Sequence, residues 1–540
     1  TATQIGLPGY DEQVIDLKPD SDARTRAAYA QARSKLQAML AKETDTNVRQ
    51  DLQIMINAAN LAIEGIDLND KYMLPYQDVG QLIFNGEFAL LRDDVDAKRW
   101  PAARKRLECY VGQAPGCMPL IKLAEAQTMA QLSNKQLLGP YKNNVDQQLA
   151  NSDRYAQGIR QLFTKYKLDD AEGKAALNAM DAQLKDYNAW VRSTIVPRQR
   201  NDFRLPEPLY AYNLKQVGID IPPEDLIKQA QLEFVEVRSA MQTMAPEVAK
   251  AEGFQATDYR DVIKELKKQQ LGKDDVVPWY HDVIAKIEDI IRREHIITLP
   301  QREMQMRLAS DAETAATPAP HMDPPPLINN HGERGTFVLT MGNPTGKGDD
   351  SNSYDDFTFK AAAWTLTAHE GRPGHELQFS AMVERGVSLA RSLFAFNSVN
   401  VEGWALYSES EMMPYEPPAG QFTTLQFRLV RAARAFLDPM LNLGMISKER
   451  AHDVLRYDVG LSEAMTREEL DRFTFNSPGQ ATAYFYGYMR LQQLRLQTEL
   501  ALGKNFNRQA FNDFIIDQGL LPPDQLAEAV RTQFIPSQKK

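Results

Sequence analysis

Helical periodicity runs through almost the whole chain. From residue 22 to about 200, segments rich in Ala, Leu, Gln, Lys and Glu carry apolar side chains at three- and four-residue spacing, as in Leu36, Met39 and Leu40 and again in Leu52, Met55, Ile56, Leu61 and Ile63. That spacing lays one stripe of a helix against a core. Breaks are expected at Asn69-Asp70, Leu74-Pro75, Trp100-Pro101, through the loop between Cys109 and Cys117, and at Gly139-Pro140. The polar, proline-containing stretch 198–208 is the best boundary, dividing an N-terminal helical region (1–205) from a second helical region (206–540), unless the two form one continuous domain. Helical patterns resume over 223–270 and 274–295.

The texture then changes. Residues 311–335 hold five prolines with Asn329, Asn330 and Gly332, and read as an extended excursion instead of a packed element. Thr336 to Met341 is the clearest strand, bounded by Gly335 and Gly342. Such a strand either offers an edge to an extended peptide or pairs within a small sheet, and the residues alone leave both open. A polar loop over 346–356 follows, with Asp355 and Asp356 placed to cap a helix from about Phe357. On that helix Phe359, Ala362, Ala363 and Leu366 mark one face, and His369 continues it. A helical run from Glu402 to Met413 sets Glu402 and Glu409 two turns apart on one face. Further helices are expected over 424–443, 448–459, 466–473, from the Ser477-Pro-Gly-Gln motif to about 502, and over 507–534. The fold class is mainly α, with a small β element before the His369 helix.

Composition narrows the function. With 43% hydrophobic and 25% charged residues the chain is of ordinary globular make-up, and a net charge of −10 argues against nucleic acid as the main partner. No apolar run approaches the ~20 residues needed to span a bilayer. The opening Thr1-Ala2-Thr3-Gln4 reads as a processed terminus, expected of an exported protein in a bacterial periplasm or lipid-anchored through a segment outside this sequence. Cys109 and Cys117 flank Gly112, Pro115 and Gly116, so the chain there can fold back into a disulfide, which suits an oxidising compartment.

The chemistry concentrates in Ala368-His369-Glu370-Gly371-Arg372-Pro373-Gly374-His375. Two of only seven histidines fall here beside a glutamate, with Glu402 downstream. Two imidazoles and a carboxylate are the ligand set of a catalytic zinc site: His369, His375 and Glu402 would bind Zn2+ and leave one position for water. Glu370, adjacent to a ligand, would take the proton of the metal-bound water as it attacks a scissile carbonyl. The spacing is unusual. Histidines six apart lie roughly 120° apart around an unbroken helix, so one ion cannot reach both. Gly371, Pro373 and Gly374 must break the helix between them.

Four motifs in order, His-Glu-Gly-Arg-Pro-Gly-His-Glu-Leu-Gln from His369, Val-Glu-Gly-Trp-Ala-Leu-Tyr from Val401, Arg-Ala-Ala-Arg-Ala-Phe-Leu-Asp from Arg431 and Ser-Pro-Gly-Gln-Ala-Thr-Ala-Tyr from Ser477, resemble the domain-of-unknown-function 885 family. The resemblance runs from about residue 200 to the C-terminus, with a looser echo at 110–120. It implies exported, helical, gluzincin-type zinc peptidases, with a two-lobed body and a deep cleft as in helical carboxypeptidases and oligopeptidases. It implies His369, His375 and Glu402 as ligands, Glu370 as base, and a tyrosine after Pro-Gly-Gln against the oxyanion. By position that is Tyr484, with Tyr486 and Tyr488 close by. Asn442 departs from the pattern, standing where many members carry a histidine. Arg434, Arg472 and Arg490 are candidates for a substrate carboxylate, as is Tyr488 for substrate contact, although Arg434 is equally spaced to pair with Asp438. Trp404 is expected to fix the Glu402 helix, and Arg372 to face the cleft. The expected function is zinc-dependent hydrolysis of peptide bonds in short peptides. A non-peptide amide hydrolase and a helical binding protein without turnover are the alternatives.

Overall fold

A computed structural model describes residues 2–93, 95–310, 313–314, 317–341 and 354–539. The chain is mainly helical, with one three-stranded sheet ahead of the histidine-bearing helices. It forms two compact units, one of Thr1–Leu209 with Ser310–Ala316 and Pro326–Glu333, the other of Tyr210–Ala309, Thr317–Pro325 and Arg334–Lys540.

In the first unit the apolar stripes meet in a single core. Ile83 and Phe84, Leu107, Ile159 and Phe163, and Leu177, Met180 and Leu184 are buried there, from the helices Val79–Phe88, Pro101–Tyr110, Lys142–Lys165 and Ala171–Trp190. The break expected at Asn69-Asp70 is absent. The Asn69 amide donates to the Gly65 carbonyl within the helix, and Thr46–Tyr72 ends only where Met73 turns extended and bridges to Leu138. Cys109 and Cys117 are joined in a disulfide that ties the end of the Pro101–Tyr110 helix to the loop before Leu120–Gln131.

The second unit carries the sheet. Strands β1 (Gln305–Leu308), β2 (His321–Asp323) and β3 (Thr336–Leu339) lie in the order β1-β3-β2, with β3 parallel to β1 and antiparallel to β2. The strand expected at 336–341 is therefore central. Both its hydrogen-bonding edges are taken, so it cannot pair with a substrate. The segment expected as an unpacked excursion supplies β2, with Pro320 and Pro324 just outside the paired residues, where no ladder N–H is needed.

Two expectations about the next helix also change. It runs Ala362–Glu370, and Phe359 lies before it, bridged to Gln270. Every position from Ala362 to Glu370 is buried, so this is a core helix without a solvent face. Asp355 and Asp356 do not cap it; the Asp356 carboxylate accepts from the Ser462 backbone N–H at 3.0 Å and the Lys267 ammonium at 2.6 Å. Most of the loop expected at 346–356 lies outside the described residues.

Against this helix pack Lys273–Arg293, Ser398–Met412 and Pro418–Asn442, and Ala483–Leu502 packs in turn on Ser398–Met412. Ser398–Met412 and Ala483–Leu502 cross backbone to backbone at Gly403 and Gly487. A Cβ on Gly403 would stand 2.5 Å from the Gly487 carbonyl carbon, and one on Gly487 1.9 Å from the Val399 oxygen. Backbone cannot yield as a side-chain tip can, so the crossing requires glycine. Gly403→Ala and Gly487→Ala should each cost about 1–3 kcal/mol of stability, the range for overpacking a tight contact. Thermal unfolding checks this, and an unchanged midpoint in both variants would show that the helices do not meet there.

Candidate metal centre

The His369 helix stops where its sequence stops supporting one. Glu370 is its last residue, Gly371 through Gly374 form a turn with a cis Arg372–Pro373 bond, and a new helix runs His375–Arg385. Gly374 lies on the end of the first helix; a Cβ there would be 1.9 Å from the His369 carbonyl oxygen and 2.4 Å from that of Ala368. Only glycine allows that approach. Arg372 does not face a cleft. It is buried, and its guanidinium donates to Glu376 at 2.7 Å and Glu288 at 2.8 Å. The Trp404 indole donates to the Pro373 carbonyl at 2.9 Å, tying the turn to the helix that carries Glu402.

The turn swings His375 back against His369. Their ring centres are 4.8 Å apart and nearly perpendicular, and the ligand atoms of His369, Glu370 and His375 all lie within 4.8 Å of one another in a buried group able to hold a metal ion. Glu402 faces the pair from the neighbouring helix. Its Oε2 lies 3.3 Å from His375 Nε2 and 3.5 Å from His369 Nε2, against 3.8 Å between His369 Nε2 and Glu370 Oε1. That Oε2 is buried and makes no hydrogen bond. Two ligand atoms bound to a tetrahedral zinc at about 2.0–2.1 Å are about 3.3–3.4 Å apart. The residues present thus fit a metal ion.

Electrostatics agree. Burial disfavours an imidazolium at His369, yet Glu402, Glu409 and the charge of Glu370 together carry its pKa up to about 9. Burial likewise raises the Glu402 carboxyl, and the two imidazoles overcome this and hold it well below the usual range. The carboxylates around His369 thus favour a cation, a proton or a metal, at the imidazole.

A family model for a bacterial protein of unknown function, DUF885, matches residues 1–530. The chain belongs to this family. Comparison with curated proteins finds no match. Among solved structures it is similar to "the putative lipoprotein from Colwellia psychrerythraea", at 18% identity and a TM-score of 0.78 over 99% of this chain and 95% of that one. It is also similar to "a putative lipoprotein of unknown function from Shewanella oneidensis", at 17% identity and a TM-score of 0.73 over 98% and 96%. At such identities the likeness is one of fold.

In this DUF885 chain a cavity of about 360 Å³ opens on the group, lined also by His321, Met322, Arg431, Arg434, Arg472 and Tyr484. Of the three tyrosines Tyr484 alone lines it, its ring stacked over His369 at 6.1 Å. The Tyr486 hydroxyl is bound by Asp220 and Arg490, and Tyr488 lies under Arg428 at 4.8 Å beside a separate groove. Arg490 is not brought to the cavity; Asp220 and Asp524 hold it. Arg434 lines the cavity, and its partner is Glu469, through a fork of two 2.7 Å bonds, not Asp438. Asp438 is taken by Tyr210 and the Gly479 N–H, and Asn442 bonds the Asp438 and Phe473 carbonyls.

Sequence reasoning missed one residue of consequence. Glu409 accepts from His369 Nδ1 at 2.6 Å and is itself held by Thr365 at 2.7 Å and Arg431 at 3.2 Å. The signal was its seven-residue spacing from Glu402, which puts both carboxylates on one face toward one imidazole. His321 gave no such signal, because only the fold of the 317–325 segment brings it to the cavity. A carboxylate on the far nitrogen orients a ligating imidazole and raises its basicity. Glu409→Gln should therefore weaken zinc binding about 10–100-fold, as read by competition with a chromophoric chelator, while leaving Arg372 and its partners folded.

Proposed function

We propose that this protein is a zinc-dependent hydrolase of peptide bonds in short peptides, with His369, His375 and Glu402 as ligands. The observation that carries the reading is the Glu402 Oε2, buried, without a hydrogen bond and set at tetrahedral-edge distance from two imidazole nitrogens. Zinc, when bound, supplies a Lewis acid that activates water at neutral pH and polarises a carbonyl.

The chain's own residues do the rest. Glu370, beside a ligand and lining the cavity, accepts a proton from the attacking water and passes it to the leaving amine. Tyr484 is kept protonated, because burial and the Glu402 charge push its hydroxyl above the ordinary value. It therefore remains a donor for the oxyanion. Strand β2 has one edge paired to β3, and its residues His321 and Met322 line the cavity, so an extended substrate can pair along the other edge. The small cavity within packed helices suits short chains. The broken helix removes the reason, the six-residue spacing, for preferring a binding protein without turnover. The disulfide suits an exported protein in the periplasm or on a lipid anchor. Among the described residues no helix is long and apolar enough to cross a membrane.

Elemental analysis should find about one zinc per chain, and a peptide library followed by mass spectrometry should show cleavage that a chelator abolishes and added zinc restores. Glu370→Gln should keep the metal and lose about 10²–10⁴-fold in kcat, the usual contribution of a positioned base. Full activity in that variant would remove the mechanism. Tyr484→Phe should lower kcat by about 10²–10³-fold with little change in KM, as for loss of one oxyanion donor.

A further inference from the structure

Three guanidinium groups line the cavity, and two are already committed. Arg434 is forked to Glu469 by two 2.7 Å bonds, and Arg431 donates to Glu409 and to the Phe427 carbonyl at 3.2 Å each, so that its charge has a carboxylate partner and only its Nε is left without a bond. Arg472 is different. Among the described residues its nearest acceptors are the Tyr484 hydroxyl at 3.5 Å and Glu469 Oε1 at 3.9 Å, an oxygen already taken by Arg434. One carboxylate between two guanidinium groups leaves one positive charge over. Glu468 is the other acidic neighbour, and burial pushes its carboxyl up to about 7, so it offsets that charge only in part. A cation taken out of water without a full partner is costly unless a ligand completes it.

We infer that Arg472 receives a substrate carboxylate, so that the cavity selects peptides presenting one beside the bond to be cut. The inference rests on the peptide-hydrolase reading above and adds which end of the substrate is held. The planar guanidinium fork matches a carboxylate with two parallel hydrogen bonds, and Arg472 has the donors to make them. Its place is apt. Tyr484 reaches Arg472 with its hydroxyl and stacks its ring on His369, so a carboxylate at Arg472 lies next to the metal group. Much of the remaining lining is apolar, including Phe357, Phe427, Val430, Leu461 and Met465, and offers a carboxylate no competing hydrogen bonds. The α-carboxylate that ends every peptide is the expected source, and an acidic side chain is the other.

Binding to zinc-loaded Glu370→Gln protein tests this apart from turnover. Calorimetry would compare acetyl-Ala-Ala-Phe as free acid, the same peptide as C-terminal amide, and acetyl-Ala-Ala-Glu as amide. The free acid should bind at least about tenfold tighter than its amide, the worth of one charge-assisted contact. Arg472→Met should erase the difference, and Arg472→Lys should restore part of it. A preference for the Glu-containing amide over the free acid would overturn the chain-end assignment and leave a side-chain carboxylate as the ligand. Equal affinity for all three peptides would overturn the inference, without needing any Arg472 variant to fold. So would a free-acid preference that survives Arg472→Met, or a variant that lowers only kcat of the active enzyme, which would make Arg472 a support for Tyr484 alone. Cleavage by the unsubstituted protein is scored separately. Acid preference without cleavage would end the hydrolase reading and keep the carboxylate site.

Discussion

The site depends on one contact between backbone atoms: Gly374 lying against the carbonyls of Ala368 and His369 at the end of a helix. A continuous helix would send His369 and His375 to different faces. Folding the chain back on the helix end breaks the helix within four residues and starts a second one at His375. The neighbours then hold the turn. Arg372 is clamped by Glu376 and Glu288, and Trp404 reaches Pro373 from the helix of Glu402. The turn and the carboxylate helix are therefore one packed unit, and the distance between imidazoles and Glu402 is set by close-packed parts instead of by flexible side chains.

Around that unit the protein buries an unusual amount of charge. Glu409, Arg431, Arg434 and Glu469 are all buried, and each is bonded to another member of the set. Ion pairs of this kind add little net stability, because desolvation offsets their attraction. What they contribute is position. Glu409 orients His369, Arg431 steadies Glu409, and Glu469 keeps Arg434 in place beneath the Tyr484 ring, 4.7 Å from its centre. Glu402 Oε2 and Arg431 Nε are buried without a hydrogen bond, Arg472 is held only by long contacts, and all three residues line the cavity. Unpaired polar groups at a cavity wall are what a polar ligand can complete.

Much of this was legible in the residues. Helical spacing, a strand beginning at Thr336, the disulfide loop and the need for a break between Gly371 and Gly374 all follow from local chemistry: period, β-branched content, and the torsional freedom of glycine and proline. The clustering of two histidines and a glutamate in seven positions marked the metal group, and the placement of Glu409 two turns from Glu402 was visible as a shared face, though not its purpose. These features survive because they depend on neighbours along the chain.

What only the tertiary structure decided depends on neighbours in space. Strand β3 became central because the 317–325 segment supplied β2, a pairing with no local signature. The helix before the histidines began at Ala362 because Asp356 was drawn to Ser462 and Lys267, which outcompeted a capping role. Arg372 turned inward because Glu288, far away in sequence, lay within reach. Tyr484, not Tyr486 or Tyr488, met the cavity because the glycine crossing with Ser398–Met412 fixed the rotation of its helix. In each case several partners were chemically acceptable, and which one a side chain took was settled by the packing of elements that the sequence specifies but does not align.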